Sequence, residues 1–310
     1  MLGFVGYAVT QAPEIVFWMI FYQGFLVNTV SPLLRKACSR LGHWKDLKDI
    51  HKSSSSGGID AQTDVVLLLT LSIHHIIAGL LILNPRTCVH GFLYELGYES
   101  YDLFNLALAR YPYTTATLGL RFAAASHHLL GVLTILPTLY FQFYKNAFVV
   151  NIGAWLLLAG GIQAASSACA KLLLPQDYPR LRLGIAFGNL IVFLFARFFI
   201  FPVNFYYFAL TLRGKYPLYF FTGILGFILM TFFNLVIRKV FFSRVLESFF
   251  YLKEIEKQAK RRSSRNSSRD SLKSSKRDSL KSSKRDSMKS SKRGSLSKRG
   301  SLKRGAVFKK

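Results

Sequence analysis

The 310 residues are 51% hydrophobic and 15% aromatic, yet the formal net charge is +26. The two properties belong to different segments: residues 253–310 hold 22 Lys+Arg against 5 Asp+Glu, and residues 1–252 hold 19 against 10. An apolar body with a basic tail excludes a soluble globular domain, and three cysteines in separate segments (Cys38, Cys88, Cys169) supply neither a disulfide framework nor metal-ligand spacing.

Taken in chain order, the body offers seven runs of about the 20 residues that cross a bilayer core. The first, 15–31, has no basic segment before it and is interrupted by Gln23 after Glu14, so it reads as a retained span and not a signal peptide. A basic loop at 32–63 leads to VVLLLTLSIHHIIAGLLIL (65–83). The third run, 91–110, carries Glu95, Glu99 and Asp102; the fourth, 119–143, carries His127 and His128. Runs at 147–172, 183–201 and 218–237 complete the set. The expected fold is therefore all-α: a polytopic transmembrane helical bundle of about seven spans with a disordered basic tail. Three regions follow: 1–59, the first span and its loop; 60–245, the main transmembrane domain; 246–310, a cytosolic stub and the tail.

Basic residues set the orientation. With the 32–63 loop cytosolic, that side holds 11 Lys+Arg in the loops before the tail (Arg35, Lys48 and Lys52 among them) against 4 on the other. The N-terminus is expected to be lumenal and the C-terminus cytosolic. Seven spans in that sense also describe a G-protein-coupled receptor, but ARYPY (109–113) lacks the acidic neighbour and the last span lacks an Asn-Pro turn.

Polar residues inside a span are costly and normally face the bundle interior. At about 1.5 Å per residue, Asp102, His128, Gln163 and His74 all fall about 12–15 Å from the cytosolic end of their spans, and Glu99 about 17 Å. Glu95, Glu99 and Asp102 are spaced i, i+4, i+7 and share one helix face. An interior polar pocket from Asp102, Glu99, Gln163, His74, His75 and the 127/128 pair is the expectation. His127 and His128 are about 100° apart on a helix, so one reaches the pocket and the other packs on a neighbouring helix. Arg197 lies near the level of Glu95, and an Arg197–Glu95 ion pair would leave neither charge alone in lipid. No metal is expected: the chain has seven histidines, none in HxxxH or HxxHH spacing.

GYESYDLFNLAL (97–108), SHHLLGVLTILPTLYF (126–141) and FLFARFFIFPVNFYYF (193–208), in that order on successive spans, resemble the TLC domain family of membrane proteins, which includes ceramide synthases and non-synthase lipid-handling members. Asp102, His127, His128, Arg197 and Pro202 occupy the matching positions. The second His-Asp and further acid of the synthases have no counterpart in NIGAWLLLAGGIQAASSACAKLL (151–173). The resemblance implies a lipid-binding or lipid-handling protein of the endoplasmic reticulum, with membrane lipids as partners and no cofactor. The alternative it implies is an acyl-CoA-dependent N-acyltransferase with acyl-CoA as co-substrate, one of His127 and His128 as base or acyl carrier, and Asp102 orienting the ring.

The tail repeats RDSLKSSK twice, then RDSMKSSK, over 269–292, followed by RGSLSK and RGSLK. Its composition reads as disordered. Lys and Arg next to a cytosolic membrane face bind anionic lipid. Ser271, Ser279, Ser287, Ser295 and Ser301 each have Arg two places before them, suiting a basophilic kinase whose phosphates would release the tail. Without interleaved aromatic residues, no specific nucleic-acid partner is expected.

Overall fold

The computed structural model describes residues 2–41, 44, 45, 47, 60–108, 110, 118–174 and 176–301. Lys48, Lys52 and residues 111–113 of ARYPY lie outside the described residues. Nine α-helices carry the fold among those described: α1 (Leu2–Phe21), α2 (Ser31–Cys38), α3 (Ala61–Leu83), α4 (Cys88–Ala107), α5 (Leu118–Tyr140), α6 (Ala147–Leu172), α7 (Pro179–Leu194), α8 (Phe201–Leu212) and α9 (Pro217–Ser301). Two π-helical stretches, Tyr22–Val30 and Phe195–Ile200, join α1 to α2 and α7 to α8 without a break. The described residues contain no strand. The chain divides into two units, Met1–Phe250 and Tyr251–Lys310.

Helix ends follow local chemistry. Asp60 caps α3, its carboxylate accepting from the backbone N–H groups of Gln62 and Thr63 at 3.1 Å each. Asn146 caps α6 by accepting from Phe148 N–H at 2.9 Å. Pro179 opens α7, where its missing N–H costs no helical bond. Gly214 turns the chain from α8 to α9 at φ 82°, a conformation that a Cβ disfavours. At the N-terminal end of α3, beside the Asp60 cap, Arg35 donates to Thr63 Oγ1 at 3.0 Å and Lys171 pairs with Asp64.

Both π stretches end two residues before a proline: Val30 precedes Ser31-Pro32, and Ile200 precedes Phe201-Pro202. A proline has no N–H for the carbonyl four residues back, and its ring crowds that carbonyl. The turn before it widens instead: Ser31 N–H bonds Leu26 O, and Phe201 N–H bonds Ala196 O, each five residues back.

α3 and α6 form the most extensive helix pair. Ala154, Gly161 and Ala168 recur every seventh residue on α6, buried against α3. A Cβ on Gly79 would stand 2.7 Å from Leu158 Cγ, and one on Gly161 would stand 3.1 Å from Ser72 O. Lipid tails give no hydrophobic drive to helix association, so close van der Waals contact between small residues has to supply it. α4 packs against α1, α3 and α5, and residues 91–99 are all buried. Gly97 sets that spacing, since a Cβ there would come within 2.5 Å of Trp18 Cβ on α1.

Five helical segments are long and apolar enough to cross a membrane among the described residues: Gly6–Cys38, Ala61–Leu83, Ala147–Leu172, Pro179–Leu212 and Tyr219–Ser264. α4 and α5 are not among them, so the structure supports an all-helical multi-span protein and five of the seven expected spans. The backbone of the tail is helical through Ser301, where composition led to the expectation of disorder. Between Gly226 and Gly294 the chain has neither Gly nor Pro, so nothing in the covalent chain stops the last helix. The side chains of Ser271, Ser279, Ser287, Ser295 and Ser301 lie outside the described residues.

Candidate functional site

α4 places three carboxylates in the bundle interior: Glu95, Glu99 and Asp102, each no more than 7% exposed. An ion stripped of water needs a partner, and histidines on two neighbouring helices provide it. His74 of α3, fully buried, meets Glu95 with Nε2–Oε2 2.8 Å. His128 of α5 sits between the other two: Nδ1 meets Glu99 Oε2, and Nε2 lies 2.7 Å from Asp102 Oδ2. One imidazole thus bridges two carboxylates one helical turn apart. Gly131, one turn after His128, makes the room, because a Cβ there would stand 2.6 Å from the Glu99 carboxyl carbon.

The proton count of this bridge is constrained. A neutral imidazole donates from one nitrogen only, and a carboxylate donates none. Two nitrogen–oxygen contacts therefore need two protons, shared as imidazolium with two carboxylates or as neutral imidazole with one carboxylic acid. Either way the triad carries one negative charge, and neither nitrogen of His128 has a free lone pair.

Tyr98, on α4 between the two clusters, connects them. Its ring lies 4.1 Å from that of His74 and 5.7 Å from that of His128, and its hydroxyl donates to Asp102 Oδ2 at 3.4 Å. The π stretch after α1 closes the same side: Tyr22 packs edge-on to His74 at 5.4 Å, and Tyr101 donates to Gln23 Oε1.

The remaining polar residues make no hydrogen bond to the carboxylates among the described residues. His127 turns away from His128 and stacks on Phe233 of α9 at 5.2 Å and 12°. Arg197 belongs to the second π stretch. The expected Arg197–Glu95 ion pair does not form: Glu95 is taken by His74, and Arg197 Nη1 instead donates to Asn234 Oδ1 and to Met230 Sδ, both at 3.5 Å. The widened turn before Pro202 aims Arg197 at α9. His75 and His127 lie within electrostatic reach of Arg197. Gln163 also lies outside the histidine layer; its amide donates to Asn189 O on α7 at 3.4 Å, beside a Ser166–Asn189 hydrogen bond.

His74, His75 and Glu95 present one ligand atom each within 4.8 Å of one another, the only such trio among the described residues. Its Glu95 contact is already made by a histidine nitrogen, and the guanidinium of Arg197 acts on His75.

Tyr98, Tyr101, Gln23, Gly131 and Asn234 join the site without having been singled out in the sequence. Tyr98 and Tyr101 had a usable signal, since they fall within one turn of Asp102 on the same helix.

Five membrane-length helices, together with a buried polar layer, define an all-helical, multi-pass integral membrane protein. Comparison with protein-family models, with curated proteins and with solved structures finds no match.

Proposed function

We propose that the chain is a seven-span, TLC-type protein of the endoplasmic reticulum that binds or moves membrane lipid, its N-terminus lumenal and its C-terminus cytosolic. α4 and α5 complete the seven spans. The 20 residues of α4 reach about 30 Å. Its three carboxylates all touch histidines inside the bundle, which lowers the cost of crossing. The basic tail adds attraction to an anionic membrane surface, adjustable by a basophilic kinase.

One observation carries the choice of lipid handling over chemistry. Both nitrogens of His128 are engaged by α4 carboxylates, so it has no lone pair for a proton or an acyl group. The layer holds helices in register beside uncommitted polar groups on α3 and α9, which suits the polar end of a lipid. Purified full-length protein, extracted and analysed by lipid mass spectrometry, is expected to retain a defined lipid near one per chain. Retention only in proportion to the surrounding membrane would refute the reading.

His127 favours a second reading. It has no carboxylate partner among the described residues and lies near Arg197. An acceptor amine attacking an acyl-CoA thioester would give its proton to His127 while the thiolate leaves, with Asp102 acting only through His128. Purified protein with labelled acyl-CoA and sphingoid base decides: product lost in His127→Ala supports this second reading, and absence of product removes it.

A further inference from the structure

Every carboxylate of the layer touches a histidine, one imidazole serving two of them, whereas the guanidinium of Arg197 touches no carboxylate. Among the described residues Arg197 has no carboxylate within ion-pair distance; its hydrogen bonds go to an amide oxygen and to a thioether, a weak acceptor. Arg197 is 18 residues after Pro179 and 15 before Leu212, near the middle of a 34-residue membrane-length segment. A cation held there without a counter-ion is costly unless something supplies the negative charge.

A second, independent observation points the same way. Asn234 is 1% exposed; its Oδ1 accepts from Arg197, and its Nδ2 has no hydrogen-bond partner. A buried amide left half satisfied marks a missing acceptor. His75 Nδ1, on α3, is likewise without a partner. Gly160 holds the space beside it, since a Cβ there would stand 2.9 Å from that nitrogen. Asn234 on α9 bonds Arg197 directly, and the two histidines within its electrostatic reach, His75 on α3 and His127 on α5, are groups that become donors on protonation. Glu95 is the nearest acid to His75 and is occupied by His74.

We propose that Arg197, Asn234, His75 and His127 form a binding site for the anionic group of a lipid, a carboxylate or a phosphate monoester, at mid-depth in the bundle. Arg197 offers a planar fork that matches the two oxygens of either group, and Asn234 Nδ2 adds a third donor. The site gives the lipid-handling reading its ligand class and rests on that reading.

The test uses full-length protein in neutral detergent, with the thermal unfolding midpoint followed against added oleate, oleoyl lysophosphatidate and, as the uncharged control, monoolein. The wild type is expected to respond to at least one anionic lipid at a tenfold or more lower concentration than to monoolein. Preference for oleate or for lysophosphatidate assigns the carboxylate or the phosphate. Arg197→Gln is expected to raise the midpoint without lipid, because a buried charge is removed, and to abolish the tenfold preference; Asn234→Leu weakens it and Arg197→Lys retains part of it. If the variants do not fold, the wild-type comparison alone decides. Equal response to charged and neutral lipid overturns the anion site and leaves lipid handling standing. No response to any lipid overturns both.

Discussion

Gly131→Ala isolates the carboxylate–histidine bridge with one carbon atom. In an exposed helix interior, replacing Gly by Ala is worth about 1 kcal/mol in favour of the helix. At Gly131 the new Cβ would stand 2.6 Å from the carboxyl carbon of Glu99 and from one of its oxygens, so Glu99 has to leave His128. Withdrawing one member of a buried ion pair costs about 3–5 kcal/mol. Against the helix gain, the net expectation is a loss of about 2–4 kcal/mol. Gly188→Ala on α7 is the control, since a Cβ there meets nothing within 4 Å, and it should be neutral or stabilising. Unfolding of purified protein in detergent, followed by tryptophan fluorescence, reads both. A double-mutant cycle with Glu99→Ala assigns the cause, because Gly131→Ala should be tolerated once the clashing side chain is gone. A Gly131→Ala protein as stable as the Gly188→Ala protein, or one equally damaged with and without Glu99, would refute the bridge.

Asp102→Asn and Glu99→Gln each leave His128 with one carboxyl partner and are expected to destabilise, whereas His74→Leu should cost more than either because Glu95 would lose its histidine partner while buried; the same unfolding assay ranks them. Single cysteines at Asn84 and at Arg110 should label from opposite sides of sealed vesicles if α4 crosses the membrane; labelling from one side removes two of the seven spans. A peptide of residues 265–310 should bind phosphatidylserine vesicles with about 1 kcal/mol per basic residue near the surface, and phosphates at Ser271, Ser279, Ser287, Ser295 and Ser301 should reverse it. Equal binding with and without phosphate, by vesicle sedimentation, defeats that switch.

How much of this was legible depended on which coordinate the sequence encodes. Periodicity gives position along a helix and relative angle around it. The shared face of Glu95, Glu99 and Asp102, and the divergence of His127 from His128, could therefore be read from spacing. Periodicity does not give the azimuth of one helix against another. Arg197 and Glu95 lie at similar depth, yet Arg197 looks toward α9 and Glu95 toward α3. Gln163 fails for the same reason: its level is right and its direction is toward α7. The helical backbone of the tail follows a different property, the absence of Gly and Pro between Gly226 and Gly294, which the lack of anything to bury does not reveal.

The prolines explain why counting residues went astray at Arg197 in particular. A π turn closes over five residues instead of four, so every residue after it is rotated by about one position relative to an unbroken helix, about 100°. In both halves of the chain the widened turn lies beside the polar layer: Tyr22 and Gln23 in the first meet His74 and Tyr101, and Arg197 in the second meets Asn234. Pro32 and Pro202 thus act at a distance of several residues, setting which side chains look inward. That ties the direction of Arg197, toward Asn234 and Met230 and away from the α4 carboxylates, to the widened backbone turn. A bundle that spends two prolines on turning polar side chains inward, and then leaves the buried guanidinium of Arg197 without a carboxylate, is arranged to have an anion brought to it.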